Sequence, residues 1–220
     1  MVIGFLAILF LSQGCSNEFS YDIKYPEPKP YLMVPTVDCP LDKDGDGISD
    51  TKDIVAGARD ETERKPRYRD NYYEGGYPPE NEGVCTDVIW RAFKHAGYDL
   101  KKMVDEDIRH NISLYPRVDG EREPNIDFRR VQNLRVYFQR YGQELTIEVF
   151  PGDIKNLTQW QAGDIVTFAE PYEHIAIISD RRRPDGVPYL LHNGGPVASE
   201  EDRLLSWKSP ITGHYRFPKF

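Results

Sequence analysis

Apolar residues that recur every three or four positions predict a helix over residues 87–97. One face of this helix carries Val88, Ile89, Ala92, Phe93 and Ala96. Gly97 follows as a natural stop, because glycine readily adopts the left-handed conformation that ends many helices. The same periodicity predicts further helices at about 52–61, 99–111 and 126–141.

From residue 142 onward, short apolar runs separated by turn residues replace the helical pattern and predict strands. The predicted strands cover residues 145–150, 164–168, 174–178, 188–192 and 211–217. N-terminal helices that pack on a C-terminal antiparallel sheet define the α+β fold class. Between the first two helices, residues 61–82 are polar and without a period, which predicts an extended loop.

The first fourteen residues carry no charge, and their apolar run is too short to cross a bilayer. They predict a signal peptide over residues 1–14. The run ends at Gly14 and Cys15, which resembles the processing site of bacterial lipoproteins, where the cysteine receives a lipid. We therefore expect an exported lipoprotein, anchored in the membrane through Cys15 and facing the periplasm or the cell surface. Secretion without a lipid and a core segment are the alternatives.

Residues 15–41 contain five prolines, which disfavour regular structure and favour an extended chain. We interpret this segment as a tether to a folded domain that covers residues 54–220. A composition of 39% hydrophobic and 12% aromatic residues supports such a folded domain. The net charge of -8 argues against binding to nucleic-acid phosphates, so we expect no nucleic-acid partner.

Residues 42–53 match the twelve-residue calcium loop of EF-hands. The predicted ligands are the side chains of Asp42, Asp44, Asp46, Asp50 and Asp53 and the carbonyl group of Ile48. Gly47 occupies the sixth position, where the backbone must turn sharply. The last position holds Asp instead of the usual Glu, and no clear helix precedes the loop. We expect a structural calcium ion, the alternative being a solvated acidic turn.

Cys85 lies immediately before the predicted helix at residues 87–97. The N-terminus of a helix stabilises a thiolate and can hold an oxyanion through its free N–H groups. This position is therefore suited to a nucleophile, although a buried and inert cysteine is the other interpretation. An exported protein also allows a disulfide between Cys39 and Cys85, which would exclude catalysis by Cys85.

Two histidines fall near each other in the predicted sheet. If the turn at residues 181–185 forms a simple hairpin, His174 lies directly opposite His192. One imidazole could then orient the other, as the third member of a catalytic triad does. A single bulge would shift the pairing and bring Asn193 into this place instead.

Four segments together resemble the NlpC-type cell-wall peptidases of the papain-like superfamily. These segments are Gly83–Asp87, Gly163–Phe168, His174–Ser179 and Leu190–Asn193. An uncharacterised bacterial branch of that superfamily is the nearest resemblance, because it shares Gly83–Val88, Asn125–Arg130 and Gly213–Arg216. The resemblance spans residues 50–217 and implies a papain-like fold.

The resemblance implies that Cys85 is the nucleophile, His174 the general base and acid, and His192 the polar third member. The sequence departs from the family pattern at Val84, where NlpC-type enzymes often have Asp, and in the longer connection between the two histidines. Both departures leave the substrate subsite open. Weaker candidates for substrate contacts are Asp87, Tyr77, Asn193, Arg129 and Arg130, with a helix-capping role for Asp87 and an ion-pair network for the arginines as alternatives.

The expected function is hydrolysis of an amide bond in peptidoglycan through a thioester, with no cofactor for the chemistry. The expected partner is a peptidoglycan peptide or a similar amide substrate. One alternative is a papain-fold acyltransferase or deamidase that acts on another substrate. The other is a calcium-stabilised surface module that binds wall peptide without cleaving it.

Overall fold

The computed structural model describes residues 31–118 and 120–220. The predicted signal peptide, Cys15 and the first part of the predicted tether lie outside these residues. Within them, no helix combines the length and the apolar character that crossing a membrane requires.

The helices of the described residues follow the apolar periodicity closely. They are α1 (Asp50–Arg64), α2 (Cys85–His95), α3 (Leu100–Asn111), α4 (Val131–Tyr141) and the short α5 (Ile154–Leu157), with 3-10 turns at Ile112–Leu114 and Asp127–Arg129. The prediction of one helix over 126–141 is wrong at its start, because Arg130 is extended between the second 3-10 turn and α4. Sequence periodicity also missed α5, which is a single turn.

The strands form a six-stranded antiparallel sheet and one small parallel pair. They are β1 (Arg67–Tyr68), β2 (Glu82–Gly83), β3 (Gln143–Glu144), β4 (Ile165–Phe168), β5 (His174–Arg182), β6 (Pro188–His192), β7 (Ser199–Glu201) and β8 (Ile211–Arg216). The six-stranded sheet has the order β3-β8-β4-β5-β6-β7, and β1 pairs with β2. The chain is therefore a mixed α+β protein in which the helices mostly precede the sheet.

The prediction of a strand at residues 145–150 is wrong. Of this region only Gln143 and Glu144 form a strand, β3, which pairs with β8, and the Leu145 N–H group still donates to the His214 carbonyl, but no ladder continues beyond it. The Glu148 carbonyl accepts hydrogen bonds from Asn156 and Trp160, and the Phe150 N–H group donates to the Asn156 side chain. Strand β7 was not predicted, because its three polar residues show no apolar alternation.

Alternating residues of the sheet build two cores. In β5, Ile175 and Ile177 face a core shared with helices α1 to α4, whereas Ala176 and Ile178 belong to a second core on the other face. The second core also contains Trp160 and is covered by loops. Alternate side chains of β5 therefore point into different cores, and the sheet is buried on both faces at this strand.

Residues 31–41 form neither helix nor strand, as their prolines predict, but they do not hang free. The Leu32 N–H group donates to the Pro184 carbonyl at 2.9 Å, and the Val37 N–H group donates to the Gln161 side chain at 3.0 Å. Leu32 and Val34 also pack against the second core. The prediction that the tether extends to residue 41 is therefore wrong, because Leu32 and Val34 are partly buried against the domain and the backbone of this stretch is hydrogen-bonded to it.

A buried ion pair joins α1 to α2 and to the loop in front of α2. Arg91 of α2 pairs with Glu61 of α1, and both side chains are almost fully buried. The second terminal nitrogen of Arg91 donates to the carbonyl groups of Pro78, Pro79 and Glu82. One guanidinium group thus holds the loop that leads into Cys85.

Replacing Arg91 by Met should lower the free energy of unfolding by about 3–5 kcal/mol, because it leaves the Glu61 carboxylate buried beside three unsatisfied carbonyl groups. Urea denaturation followed by circular dichroism measures this loss. The matched control is Arg64→Met, since Arg64 pairs with the same carboxylate but its side chain is 48% exposed. The control should lose less than about 1 kcal/mol. Equal losses of unfolding free energy in the two variants would contradict the role of Arg91 as the buried partner of Glu61.

Candidate active site

The Gly83-Val84-Cys85-Thr86-Asp87 segment folds as a tight entry into α2. Asp87 accepts a hydrogen bond from the Val84 N–H group at 2.7 Å, which ties the first turn of the helix to the residue before it. Gly83 leaves room for this carboxylate, because a side-chain carbon there would lie 3.2 Å from Asp87 Oδ2. Cys85 is consequently held as the first residue of α2.

Asp87 and Arg129 form a bidentate ion pair that is buried on both sides. Arg129 Nε donates to Asp87 Oδ1 at 2.8 Å, and Arg129 Nη2 donates to Oδ2 at 2.9 Å. Trp90 donates to the same carboxylate, and Arg129 also donates to the Asn71 carbonyl. Every described contact of these two side chains is internal, so the structure assigns them to positioning α2 and not to substrate.

Arg130 and Asn193 also have internal partners. Arg130 donates to the Arg117 carbonyl and to Asp127. Asn193, which is fully buried, donates to the Gly83 carbonyl at 3.1 Å and to that of Pro66. Asn193 therefore anchors the entry to α2 against the end of β6 and is not the group that contacts the His174 ring.

Tyr77 lies away from the histidines. Its ring packs against Trp90 and Phe128. The tyrosines that line the groove beside His174 are Tyr68 and Tyr172. The expectation that Tyr77 contacts substrate near Cys85 therefore has no geometric support, whereas Tyr68 was not predicted because it lies in a segment whose sequence shows no period, although it forms part of β1.

The Cys85 thiol reaches strand β5. The N–H group of Ile175, the residue that follows His174, lies close enough to the thiol to lower its pKa. Burial raises the pKa of the thiol to about 12, with the charges of Asp87 and Glu173 adding to the effect, while the N–H groups of Ile175 and Thr86 act in the opposite direction. Cys85 and Cys39 are both free, so the alternative of a disulfide between them is wrong.

The pairing of β5 with β6 differs from the simple hairpin. Ile177 lies opposite Leu191 and Ile178 opposite Leu190, and the register shifts toward the turn. Continuing the ladder places His192 opposite Ala176, so the prediction that His192 directly faces His174 is wrong. The difference amounts to two residues on one strand, and a shift of two keeps every side chain on its face. His174 and His192 are therefore diagonal neighbours.

The diagonal arrangement still brings the two imidazoles into contact. His174 Nε2 lies 2.8 Å from His192 Nδ1, and both residues are buried. Trp207 stacks on the His174 ring with centroids 4.0 Å apart. Gly194 permits this packing, because a side-chain carbon there would lie 3.0 Å from His192 and 3.1 Å from Trp207. No sequence pattern marks Trp207 or Gly194 as part of this cluster.

Burial keeps both histidines neutral. It lowers the pKa of His174 well below the ordinary value, and the neighbouring His192 adds to the effect. It also lowers the pKa of His192 to about 4, although Glu201 opposes the shift. At neutral pH the site therefore consists of a neutral thiol and two neutral imidazoles.

One nitrogen of the pair lacks a hydrogen bond. His192 Nε2 is buried and has no partner within hydrogen-bonding distance among the described residues. The nearest carboxylate oxygen is Glu201 Oε2, at 3.9 Å. The other Glu201 oxygen accepts a hydrogen bond from the Ser199 hydroxyl group at 2.6 Å. Glu201 is thus fixed with one oxygen directed toward the histidine pair.

A groove of about 570 Å³ opens beside His174. It is lined by Tyr68, Glu170, Pro171, Tyr172, Glu173, His174, Gly194 and Trp207. Aromatic rings and carboxylates thus surround the one histidine that the groove reaches, and no basic side chain is among the lining residues.

The acidic loop lies at the opposite end of α2. Asp42, Asp44 and Asp46 each offer a carboxylate oxygen within 4.8 Å of the others. Ile48 follows them, and Asp53 lies in the first turn of α1. Asp50 is fully buried, and its oxygens accept hydrogen bonds from the Lys43 N–H group and the Tyr98 hydroxyl group. Asp50 is not among the clustered carboxylates, and its role as a ligand stays a prediction.

These observations define an α+β protein with a buried cysteine at a helix start and a hydrogen-bonded histidine pair on the adjoining strands. The chain belongs to the DUF1287 family, described as a domain of unknown function, which matches residues 55–217. It is 39% identical to "Uncharacterized protein YijF" of Escherichia coli (strain K12) over 156 residues, which is 69% of this chain and 72% of that protein. No solved structure matches.

The neutral histidine pair should make the protein sensitive to acid. Unfolded histidine has a pKa near 6.5, whereas that of folded His192 is about 4, so the unfolded state binds more protons between these values. The free energy of unfolding should fall as pH falls through this window, and His192 alone should account for about 3 kcal/mol of the loss. Urea denaturation at pH 7 and pH 4.5 measures the fall.

His192→Gln should lose less stability than wild type between these two pH values. The control is His110→Gln, because His110 is exposed and should leave the pH dependence unchanged. The same loss in wild type and in His192→Gln would contradict the assignment of a neutral, buried His192.

Proposed function

We propose that this protein is an exported cysteine hydrolase of the papain-like, NlpC-type fold that cleaves an amide bond in peptidoglycan. The observation that carries the proposal is that helix α2, which begins at Cys85, packs on strand β5, whose His174 ring is hydrogen-bonded to His192. A nucleophile, a base and a group that orients the base are the minimum that acyl transfer requires.

The arrangement of elements supports the fold assignment. The cysteine begins a helix that packs on the sheet, and the two histidines lie on adjacent antiparallel strands that follow it. The order along the chain is Cys85, His174 and His192, as in the NlpC-type peptidases that the sequence resembles. Val84 departs from those enzymes, and its buried side chain offers no polar group to a substrate.

The hydrogen bond between the imidazoles sets the direction of proton transfer. Since His174 Nε2 is bonded to His192, His174 Nδ1 is the nitrogen that remains for the thiol. To accept the thiol proton at Nδ1, His174 must carry its own proton on Nε2 and donate it to His192 Nδ1. His192 must then carry its proton on Nε2, which faces Glu201. The Glu201 carboxylate favours this tautomer.

The reaction then proceeds by two acyl transfers. As the Cys85 sulfur attacks the amide carbon, its proton moves to His174, and backbone N–H groups at the start of α2 stabilise the oxyanion. His174 gives this proton to the leaving amine, which completes the thioester. It next takes a proton from water, which attacks the thioester and releases the acid, and Cys85 regains its proton.

The groove supports a peptide substrate that carries an amino group. Glu170 and Glu173 line it beside His174, and burial raises the pKa of Glu173. Tyr172 and Trp207 offer aromatic faces that attract cations and cover apolar chain. A stem peptide with a free amino group meets these requirements better than an acidic or phosphorylated ligand.

A calcium-stabilised module that binds wall peptide without cleaving it is the second candidate. The raised pKa of Cys85 favours it, because a neutral thiol is a poor nucleophile unless a base activates it. In either case the setting we propose is the cell envelope, with a lipid on Cys15 as the anchor.

Purified peptidoglycan incubated with the reduced protein should release new fragments, whose masses name the cleaved bond. Cys85→Ala should release none, because the variant lacks the proposed nucleophile. Mass spectrometry of the soluble fraction measures both. The control is Cys39→Ala, which removes the other free thiol and should cleave like wild type. Binding of wild type to peptidoglycan without any fragments would contradict hydrolysis and favour the binding module.

Replacing Glu201 by Leu should lower kcat about tenfold with little change in KM, because His192 loses the charge that selects its tautomer. Glu201→Gln is the matched variant, since an amide oxygen can still accept the Nε2 proton, and its loss should be smaller. Peptidoglycan cleavage rates and urea denaturation measure the two effects separately. If the free energy of unfolding fell by as much as the activation free energy rose, a positioning role for Glu201 would be contradicted.

A further inference from the structure

The acidic loop at residues 42–46 has the internal geometry of a cation site. Asp42 Oδ1 accepts from the Gly45 N–H group at 2.7 Å, and Asp42 Oδ2 accepts from the Gly47 N–H group at 2.9 Å. Asp46 Oδ1 accepts from the Ile48 N–H group at 2.7 Å. These bonds leave the three carboxylates side by side and exposed, with no basic side chain paired to them in the described part of the chain.

A fourth carboxylate, that of Asp53, lies near this cluster inside the protein. Asp53 is 2% exposed, and its Oδ2 is buried without a hydrogen-bond partner among the described residues. The other oxygen, Oδ1, lies 3.9 Å from His95 Nδ1. Asp53 lies within electrostatic range of Asp42, Asp44 and Asp46. A buried, unpartnered carboxylate beside three others is unfavourable unless a cation joins them.

We propose that residues 42–53 bind one calcium ion through the side chains of Asp42, Asp44, Asp46 and Asp53 and the carbonyl group of Ile48. All of these ligands are oxygen atoms, as calcium requires, and water completes the coordination. The buried Asp50 supports the loop by accepting hydrogen bonds from the Lys43 N–H group and the Tyr98 hydroxyl group. This site is independent of the proposed hydrolase activity.

The position of the loop gives the ion a structural role. Asp53 belongs to α1, and His95 ends α2. Gly97 lies so close to the loop that a side-chain carbon there would be 2.9 Å from the Asp44 side chain. The ion therefore joins the start of α1 to the end of the helix that carries Cys85, and its removal should loosen this junction.

The first test compares the melting temperature of the whole chain in calcium chloride and in EDTA. At a calcium concentration about a hundred times Kd, the melting temperature should rise by roughly 5–10 °C. Asp44→Asn should abolish the rise. The matched control is Asp38→Asn, which removes the same charge from an exposed residue just before the loop and should respond like wild type.

Asp53→Asn separates metal binding from packing. In EDTA its melting temperature should equal or exceed that of wild type, because the variant removes an unpaired buried charge. In calcium it should fall below wild type, because the ligand is lost. A decrease of the same size in both conditions would overturn the role of Asp53 as a ligand.

Terbium luminescence provides a readout of binding that does not involve stability. Excitation of tyrosine should sensitise terbium in the loop, since Tyr98 bonds to Asp50, and added calcium should displace the signal. A wild-type protein with no calcium-dependent melting shift and no saturable terbium signal would overturn the proposal. An equal shift in magnesium at the same concentration would overturn the choice of calcium.

Discussion

The position of Cys85 depends on one buried ion pair, between Asp87 and Arg129. Arg129 donates hydrogen bonds to both oxygens of Asp87, and Asp87 also accepts a hydrogen bond from the Val84 N–H group. Because neither charge is solvated, each needs the other, and removing one would leave the second unpaired in the interior. The first turn of α2 can therefore adopt only the arrangement that keeps this pair, which places the cysteine against strand β5.

The second constraint is the exclusion of water from the histidines. Trp207 covers His174, and burial keeps both rings neutral. A neutral imidazole can accept a proton, whereas a solvated one at mildly acidic pH already carries it. The same burial raises the pKa of Cys85, so the thiol keeps its proton until a base accepts it. The proposed chemistry thus relies on transfer within the site and not on a permanent thiolate.

Local patterns revealed most helices, four strands and the residues with distinctive chemistry, because these depend on neighbours in the sequence. The face shared by His174 and His192 was also predictable, since a register difference of two leaves it unchanged. The roles of Asp87, Arg129 and Asn193 as internal supports were not predictable, because their partners lie more than forty residues away or in another element. The positions of Tyr68 and Trp207 at the groove were not predictable for the same reason. Nor was the hydrogen bond that Tyr98 donates to Asp50.

The central claim is that His174 takes the proton of Cys85. The direct measurement is the rate of Cys85 alkylation by iodoacetamide between pH 6 and pH 8, in wild type and in His174→Gln. In wild type the proton stays within the pair, so the rate should be nearly independent of pH. In the variant the proton leaves to solvent, so the rate should be lower at pH 6 and rise about tenfold per pH unit, as for any thiol below its pKa. Identical rates and pH profiles in the two proteins would contradict the account.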